Sequence, residues 1–242
     1  MIKSTFPSFP NKFGKKLEKK SEIFGGFTRE VSVRKIGNNV VVVKIYPDLK
    51  PLFVDFSKST FSLLFLLPKI SFLSKEERIQ REIIGHEKLA EIGIPVPKIL
   101  EFSTRDGLLV EEYIDGTNLY QLIKKSEKTE RESISYETGK ITGFLHSKGY
   151  SFFDNRPQNY IFKDSKIFRV DLETFEVAPS LFERCLDVIS FTESFSGKIR
   201  NHVYNSFISG YETYSKYHPN NFLESLARKC LSLLNLNLPS FR

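Results

Sequence analysis

Strand signals crowd the first half of this 242-residue chain and helix signals the second, and that order limits the fold more than any single motif. Residues 31–36 and 40–46 are β-branched runs on either side of Gly37-Asn38-Asn39, the pattern of a hairpin. Ser74-Lys75-Glu76-Glu77 is a capping box, and Ile79, Ile83, Ile84 and Leu89 follow at helical spacing until Gly93 and Pro95 stop the helix. Residues 108–114 form another apolar strand, closed by Asp115-Gly116. A helix is expected over about 135–147, ending at Gly149, then a hairpin over 160–170, then mostly helices. The order predicts two unequal lobes behind a basic arm: an arm over 1–22, a sheet-and-helix lobe over 23–112 and a helical lobe over 113–242.

Composition excludes several classes. Hydrophobic residues at 40% with 27% charged suit a packed globular protein, not a disordered or fibrous one. Cys185 and Cys230 are too few and too far apart for a disulfide framework or a zinc site, which points to a reducing compartment, the cytoplasm. No export signal is read, because Pro7, Pro10 and a lysine cluster interrupt the N-terminus. The most apolar stretch, 61–73, is broken by Pro68 and Lys69 and falls short of the roughly 20 residues of a membrane span, so it reads as a buried helix. Net charge is +7, and Lys12, Lys15, Lys16, Lys19 and Lys20 face only Glu18. Such a run is a solvated arm, or a contact for RNA phosphates or an acidic partner.

The second hairpin yields a geometric expectation. Residues 160–163 and 167–170 are equal in length across Asp164-Ser165-Lys166, and symmetric pairing would set Asn159 opposite Asp171. An amide oxygen beside a carboxylate suits Mg²⁺, which completes its shell with water and substrate phosphates, so a nucleotide is implied. Asp154, five residues before Asn159, would join them as a base or hydroxyl-orienting group. Read alone, the same residues also fit an Asx-rich turn capping a hairpin.

The wider pattern resembles the protein-kinase signature set. Asp154-Asn155-Arg156-Pro157-Gln158-Asn159 is similar to the kinase catalytic loop Asp-Leu-Lys-Pro-Glu-Asn, with Leu145-His146 eight residues upstream of Asp154. Val170-Asp171-Leu172-Glu173 stands where kinases carry Asp-Phe-Gly, and Asp187-Val188-Ile189-Ser190 resembles the start of a later buried helix. The resemblance implies that Asp154 accepts or orients the attacking hydroxyl, that Arg156 neutralises the transferred phosphoryl group, and that Asn159 and Asp171 hold Mg²⁺. Asp187 would be structural, bonding catalytic-loop amides. Val41-Val42-Val43-Lys44 resembles the strand whose lysine grips the nucleotide phosphates, with Glu82 as its helix partner and Glu87 as the other candidate. Residues 109–116 resemble a hinge that would read adenine through the backbone of Glu112 and Ile114. Gly25-Gly26 is placed at the phosphate-covering loop, although Gly-x-Gly-x-x-Gly is absent.

The implied fold is α+β and bilobal, with a small antiparallel sheet and one helix ahead of a mainly helical lobe. Only fifteen residues separate Asp171 from Asp187, so the activation segment is minimal. That brevity resembles the small atypical kinases: RIO kinases, the kinase subunit of the KEOPS tRNA machinery and lipopolysaccharide-type kinases. The KEOPS subunit carries His-Gly-Asp-Leu-Thr-Thr-Ser-Asn in its loop, which this chain lacks. The leading expectation is an ATP- and Mg²⁺-dependent Ser/Thr protein kinase or autokinase. A small-molecule, sugar or lipid head-group kinase, an ATPase-like subunit of an RNA-associated assembly, and a pseudokinase binding module are the alternatives.

Overall fold

The computed structural model describes residues 29–47 and 74–215, with Ser225, Ala227 and Arg228 beyond them. The basic arm, Gly25-Gly26 and the apolar stretch 61–73 lie outside the described residues. Among those described, no helix is long and apolar enough to cross a membrane.

Two compact units emerge. The first takes the described residues up to Lys88 together with Val96–Asp115, and the second takes Leu89–Pro95 together with the chain from Gly116 onward. In the first unit, strands β1 (Glu30–Ile36), β2 (Asn39–Ile45), β3 (Ile99–Ser103) and β4 (Leu108–Glu112) form an antiparallel sheet in the order β1-β2-β4-β3. The first turn is tighter than the three residues expected. Ile36 pairs with Asn39, so only Gly37 and Asn38 lie between, and Gly37 takes the positive φ of +59° that the first central position of a type II′ turn demands.

Alternation divides the sheet. Val41, Val43, Leu108 and Val110 share one face with Ile36 and Ile45, while Tyr46 and Leu109 share the other with Ile79, Ile83 and Ile99. Helix α1 (Lys75–Glu91) covers that second face. Its capping box is formed: Ser74 N–H donates to Glu77 Oε2 at 2.7 Å and Glu77 N–H to Ser74 Oγ at 3.1 Å. The inward stripe differs from the one read in the sequence, because Ile84 is exposed while Glu82 and His86 are buried beside Ile79 and Leu89. Polar residues with partners have taken positions that periodicity gave to isoleucine.

In the second unit, β5 (Thr117–Asn118) leads into α2 (Leu119–Lys125) and α3 (Lys128–Ser147), which begins seven residues before the expected start at 135. Then come β6 (Tyr150–Ser151), a 3₁₀ turn (Pro157–Asn159), β7 (Tyr160–Lys163), β8 (Lys166–Arg169), β9 (Glu176–Val177), α4 (Leu181–Thr192) and α5 (Gly197–Tyr211). β7 pairs with both β5 and β8, and β9 pairs with β6. Helices α3 and α5 touch through their backbones: a Cβ on Gly143 would lie 2.2 Å from the Tyr211 carbonyl oxygen, and one on Gly210 2.0 Å from that of Tyr136.

The register of the β7–β8 hairpin corrects the symmetric pairing expected. Lys163 pairs with Lys166 and Tyr160 with Arg169, across a two-residue turn in which Asp164 and Ser165 both adopt positive φ. Asn159 therefore lies level with Val170, whose N–H donates to the Asn159 carbonyl at 3.1 Å, and Asp171 falls one residue past the ladder. A type I′ turn requires one residue fewer than the three assumed, and each residue removed slips the register by one.

Candidate active site

Two polar constellations stand out, one in each unit. In the first, Lys44 on β2 points to the face covered by α1, by the same alternation that buries Tyr46 there. Its ammonium donates to Glu82 Oε1 on α1 and to Glu111 Oε1 on β4, the latter at 3.0 Å. Glu82 is thus the helix partner of Lys44, and Glu87 is exposed. His86, one turn after Glu82, places Nδ1 2.7 Å from the Glu82 carbonyl oxygen and Nε2 3.2 Å from Glu111 Oε1. Glu111 and His86 were not read from the sequence. A usable signal was there: Glu111 pairs with Val42, so it shares a face with Lys44, and His86 follows Glu82 at i+4.

Glu112, the next residue of β4, donates its N–H to the Lys98 carbonyl at 2.9 Å, and Ile114 is buried after the strand ends. The glycines expected over the phosphates lie outside the described residues.

In the second unit, Asp154 sits between two residues that fix it. Arg156 donates Nε and Nη2 to its two carboxylate oxygens, both at 2.6 Å, and Asn159 Nδ2 donates to the Asp154 carbonyl at 3.0 Å and to Oδ2 at 3.2 Å. Burial pushes the Asp154 carboxyl up, but the charge and hydrogen bonds of Arg156, aided by Arg169, bring it below the usual carboxylate range against repulsion from Asp171. The carboxylate is ionised, and Asp171 is near enough for its charge to be felt there. With its nitrogen on Asp154, the Asn159 amide keeps Oδ1 as an acceptor.

The segments carrying Asp154 and Asp171 are bound by one side chain. Arg169 is fully buried; its Nε donates to the Asp171 carbonyl at 2.9 Å and Nη2 to the Asp154 carbonyl at 2.7 Å. Its guanidinium lies over the rings of Phe152 and Tyr160, 4.4 and 4.9 Å from their centroids. Burial holds the Tyr160 phenol well above its ordinary value, so it stays a neutral donor, bonding the Asn155 side-chain oxygen. Phe153, just before Asp154, adopts φ +63°, a strained conformation for a bulky residue.

Asp187, at the middle of α4, anchors the loop from beneath. Its Oδ2 accepts from Phe152 N–H at 2.8 Å and lies 2.9 Å from His146 Nε2, while its carbonyl accepts from Asn155 Nδ2 at 3.1 Å. The short segment after Asp171 is fastened too: Thr174 Oγ1 donates to the Phe152 carbonyl at 2.7 Å, and β9 closes on β6.

The amide oxygen of Asn159 and the carboxylate of Asp171 are the hard ligands Mg²⁺ takes, so this pair fits the metal implied by the sequence, while both carboxylate oxygens of Asp154 are engaged by Arg156. Glu82, His86 and Glu111 also offer ligand atoms within 4.8 Å of one another, but Lys44 already supplies a cation to both carboxylates.

No family model matches the chain. It is 27% identical over 151 residues to the KEOPS complex subunit Bud32 of Pyrococcus abyssi, covering 60% of this chain and 69% of that one. It is 26% identical over 176 residues to a probable bifunctional tRNA threonylcarbamoyladenosine biosynthesis protein of Methanococcus maripaludis, covering 69% of this chain but 31% of that longer protein. Among solved structures, WaaP in complex with acyl carrier protein superposes with a TM-score of 0.52 at 13% identity, over 93% of this chain and 85% of WaaP. The Rio2 kinase complex with ADP, Mg²⁺ and phosphoaspartate from Chaetomium thermophilum gives the same TM-score and identity over 88% and 71%. These neighbours establish an α+β fold of the bilobal kinase type. Two of the groups named from the sequence motifs, the KEOPS subunit and the RIO kinases, are represented among the relatives and neighbours. The chain has the fold of the protein-kinase-like superfamily and is similar in sequence to one of its small atypical members.

Proposed function

We propose that the protein transfers the γ-phosphate of Mg-ATP to a hydroxyl, most directly that of a serine or threonine in a protein substrate or in its own chain. The observation behind this reading is the bracing of Asp154: an ionised carboxylate held by Arg156, Asn159 and, through its carbonyl, Arg169. In this reading Asp154 accepts a hydrogen bond from the acceptor hydroxyl and orients it for attack. Arg156 then turns its guanidinium toward the phosphoryl oxygens as charge redistributes. Asn159 Oδ1 and the Asp171 carboxylate hold Mg²⁺, which when bound neutralises phosphate charge. Lys44, braced by Glu82, grips the non-transferred phosphates, and the backbone of Glu112 and Ile114 reads adenine.

The likeness to a KEOPS subunit and to a tRNA-modification protein supports a second reading, ATP hydrolysis within an RNA-associated assembly. One experiment separates them. The purified protein is incubated with γ-labelled ATP and Mg²⁺, alone, with cell extract and with RNA, beside Asp154→Asn and Asp171→Ala. Labelled polypeptide that disappears in both variants is the expected result. ADP without labelled polypeptide, stimulated by RNA in a salt-sensitive way, would favour the second reading; ADP formed only with a metabolite would indicate a small-molecule kinase. Absence of both label and ADP would leave a binding module.

A further inference from the structure

The cluster around Lys44 contains more charge than a lysine–glutamate pair needs. Lys44, Glu82, His86 and Glu111 are 3%, 0%, 4% and 1% exposed, so none can rely on water to offset its charge. Two carboxylates and one ammonium leave a net charge of −1 while His86 is neutral. The geometry shows how this is avoided. A carbonyl oxygen only accepts, so the contact at 2.7 Å requires a proton on His86 Nδ1. Nε2, which makes no well-aligned hydrogen bond, lies 3.2 Å from Glu111 Oε1, and a contact that close to an ionised carboxylate is attractive when the ring carries a second proton and a positive charge. Among the described residues, the charged groups facing His86 are Lys44 from β2, Glu111 from β4 and Glu82 from its own helix α1. With the extra proton the four sum to zero.

We propose that Glu111 and His86 are positioning residues for Lys44: Glu111 is the second carboxylate fixing the ammonium, and a protonated His86 beside it keeps the cluster neutral so that Lys44 remains attractive to phosphate. The proposal rests on Lys44 being the phosphate-gripping lysine. The electrostatics agree in direction. Burial drives the His86 imidazole down, but its hydrogen bond to Glu111 and the charges of Glu111 and Glu82 outweigh burial and the repulsion of Lys44, leaving it raised. Burial drives Glu111 up, and Lys44 with His86 outweighs that, leaving it lowered. Both directions favour the charged forms, an imidazolium beside a carboxylate.

Two measurements on the full-length protein test this. In the nucleotide-free protein, ring-nitrogen NMR between about pH 6 and 9 should show His86 doubly protonated at neutral pH and titrating above the ordinary histidine value of about 6.5, a behaviour lost in Glu111→Gln. Mg-ATP affinity should weaken as pH rises through that same transition in the wild type and be pH-independent over that range in Glu111→Gln. In His86→Gln, where the net charge of −1 is permanent, it should be about tenfold weaker than in the wild type below the transition and should match the wild type above it. The double variant His86→Gln/Glu111→Gln restores neutrality and should recover most of the affinity. A merely structural role would make the double variant worse than either single one, and that result, or a neutral His86 at pH 7, overturns the proposal. If the wild type binds no Mg-ATP, the reading of Lys44 fails, while the NMR titration still decides how the cluster holds its proton.

Discussion

Phe153 sits at φ +63° immediately before Asp154, a conformation costing a bulky residue roughly 1–3 kcal/mol and a glycine almost nothing. Replacing it should therefore invert the usual order: Phe153→Gly should be more stable than Phe153→Ala by about 1 kcal/mol in urea unfolding, although glycine is ordinarily the more disruptive choice. Arg169 makes the opposite kind of demand. Arg169→Met preserves bulk against Phe152 and Tyr160 but removes a charged donor from the Asp171 carbonyl and one of the two donors of the Asp154 carbonyl, and should cost about 2–4 kcal/mol. Arg169→Lys should rescue little, because one ammonium cannot replace a planar fork that reaches both oxygens. At this scale the sequence revealed side chains in recognisable strings and missed those whose partners lie far along the chain. Asp154, Asn159 and Asp171 belong to a pattern; Arg169, His86 and Glu111 acquire meaning once pairing and helix register are known, across separations as long as the 67 residues between Lys44 and Glu111.

The glycines of α3 and α5 decide how those helices pack. Gly143→Ala would raise intrinsic helix propensity by about 1 kcal/mol, yet its new Cβ would lie 2.2 Å from the Tyr211 carbonyl oxygen, with backbone rather than a flexible tip in the way. The expected outcome is net destabilisation of about 1–3 kcal/mol, read as a lower denaturation midpoint with a nearly unchanged slope. At the start of α4, Ser180 and Glu183 form a reciprocal capping box, and Ser180→Ala should cost about 1 kcal/mol. The capping box of α1 was legible, and that helix begins after the serine that announces it; the one at Ser180 was missed, and α4 starts at Leu181, six residues before Asp187, where the resemblance placed it. Helix α3 was placed late because Glu127 provides no side-chain cap and its first turns are charged and polar, without an apolar stripe. The β7–β8 register was off by one because Asp164 and Ser165 both enter the left-handed region, which this pair signals less clearly than Asn-Gly.

For the molecule as a whole, ligand binding should appear as stability. Mg-ATP at a hundred times its Kd stabilises a binding-competent state by about 2.7 kcal/mol, which for a chain of this size should raise Tm by about 5–10 °C. ATP with a chelator, or Mg-ATP with Asp171→Ala, should give a much smaller shift. The strand-rich to helix-rich order was readable because it reflects many residues at once, and it agrees with a sheet-bearing first unit and a mainly helical second one. Arg169 has a consequence for the kinds of inhibitor this protein would accept. Turning over the peptide at Asp171 would withdraw an acceptor from a buried guanidinium. Compounds that depend on such a turned-over segment should bind poorly, and chemical screens should be enriched in molecules that accept the segment as it stands.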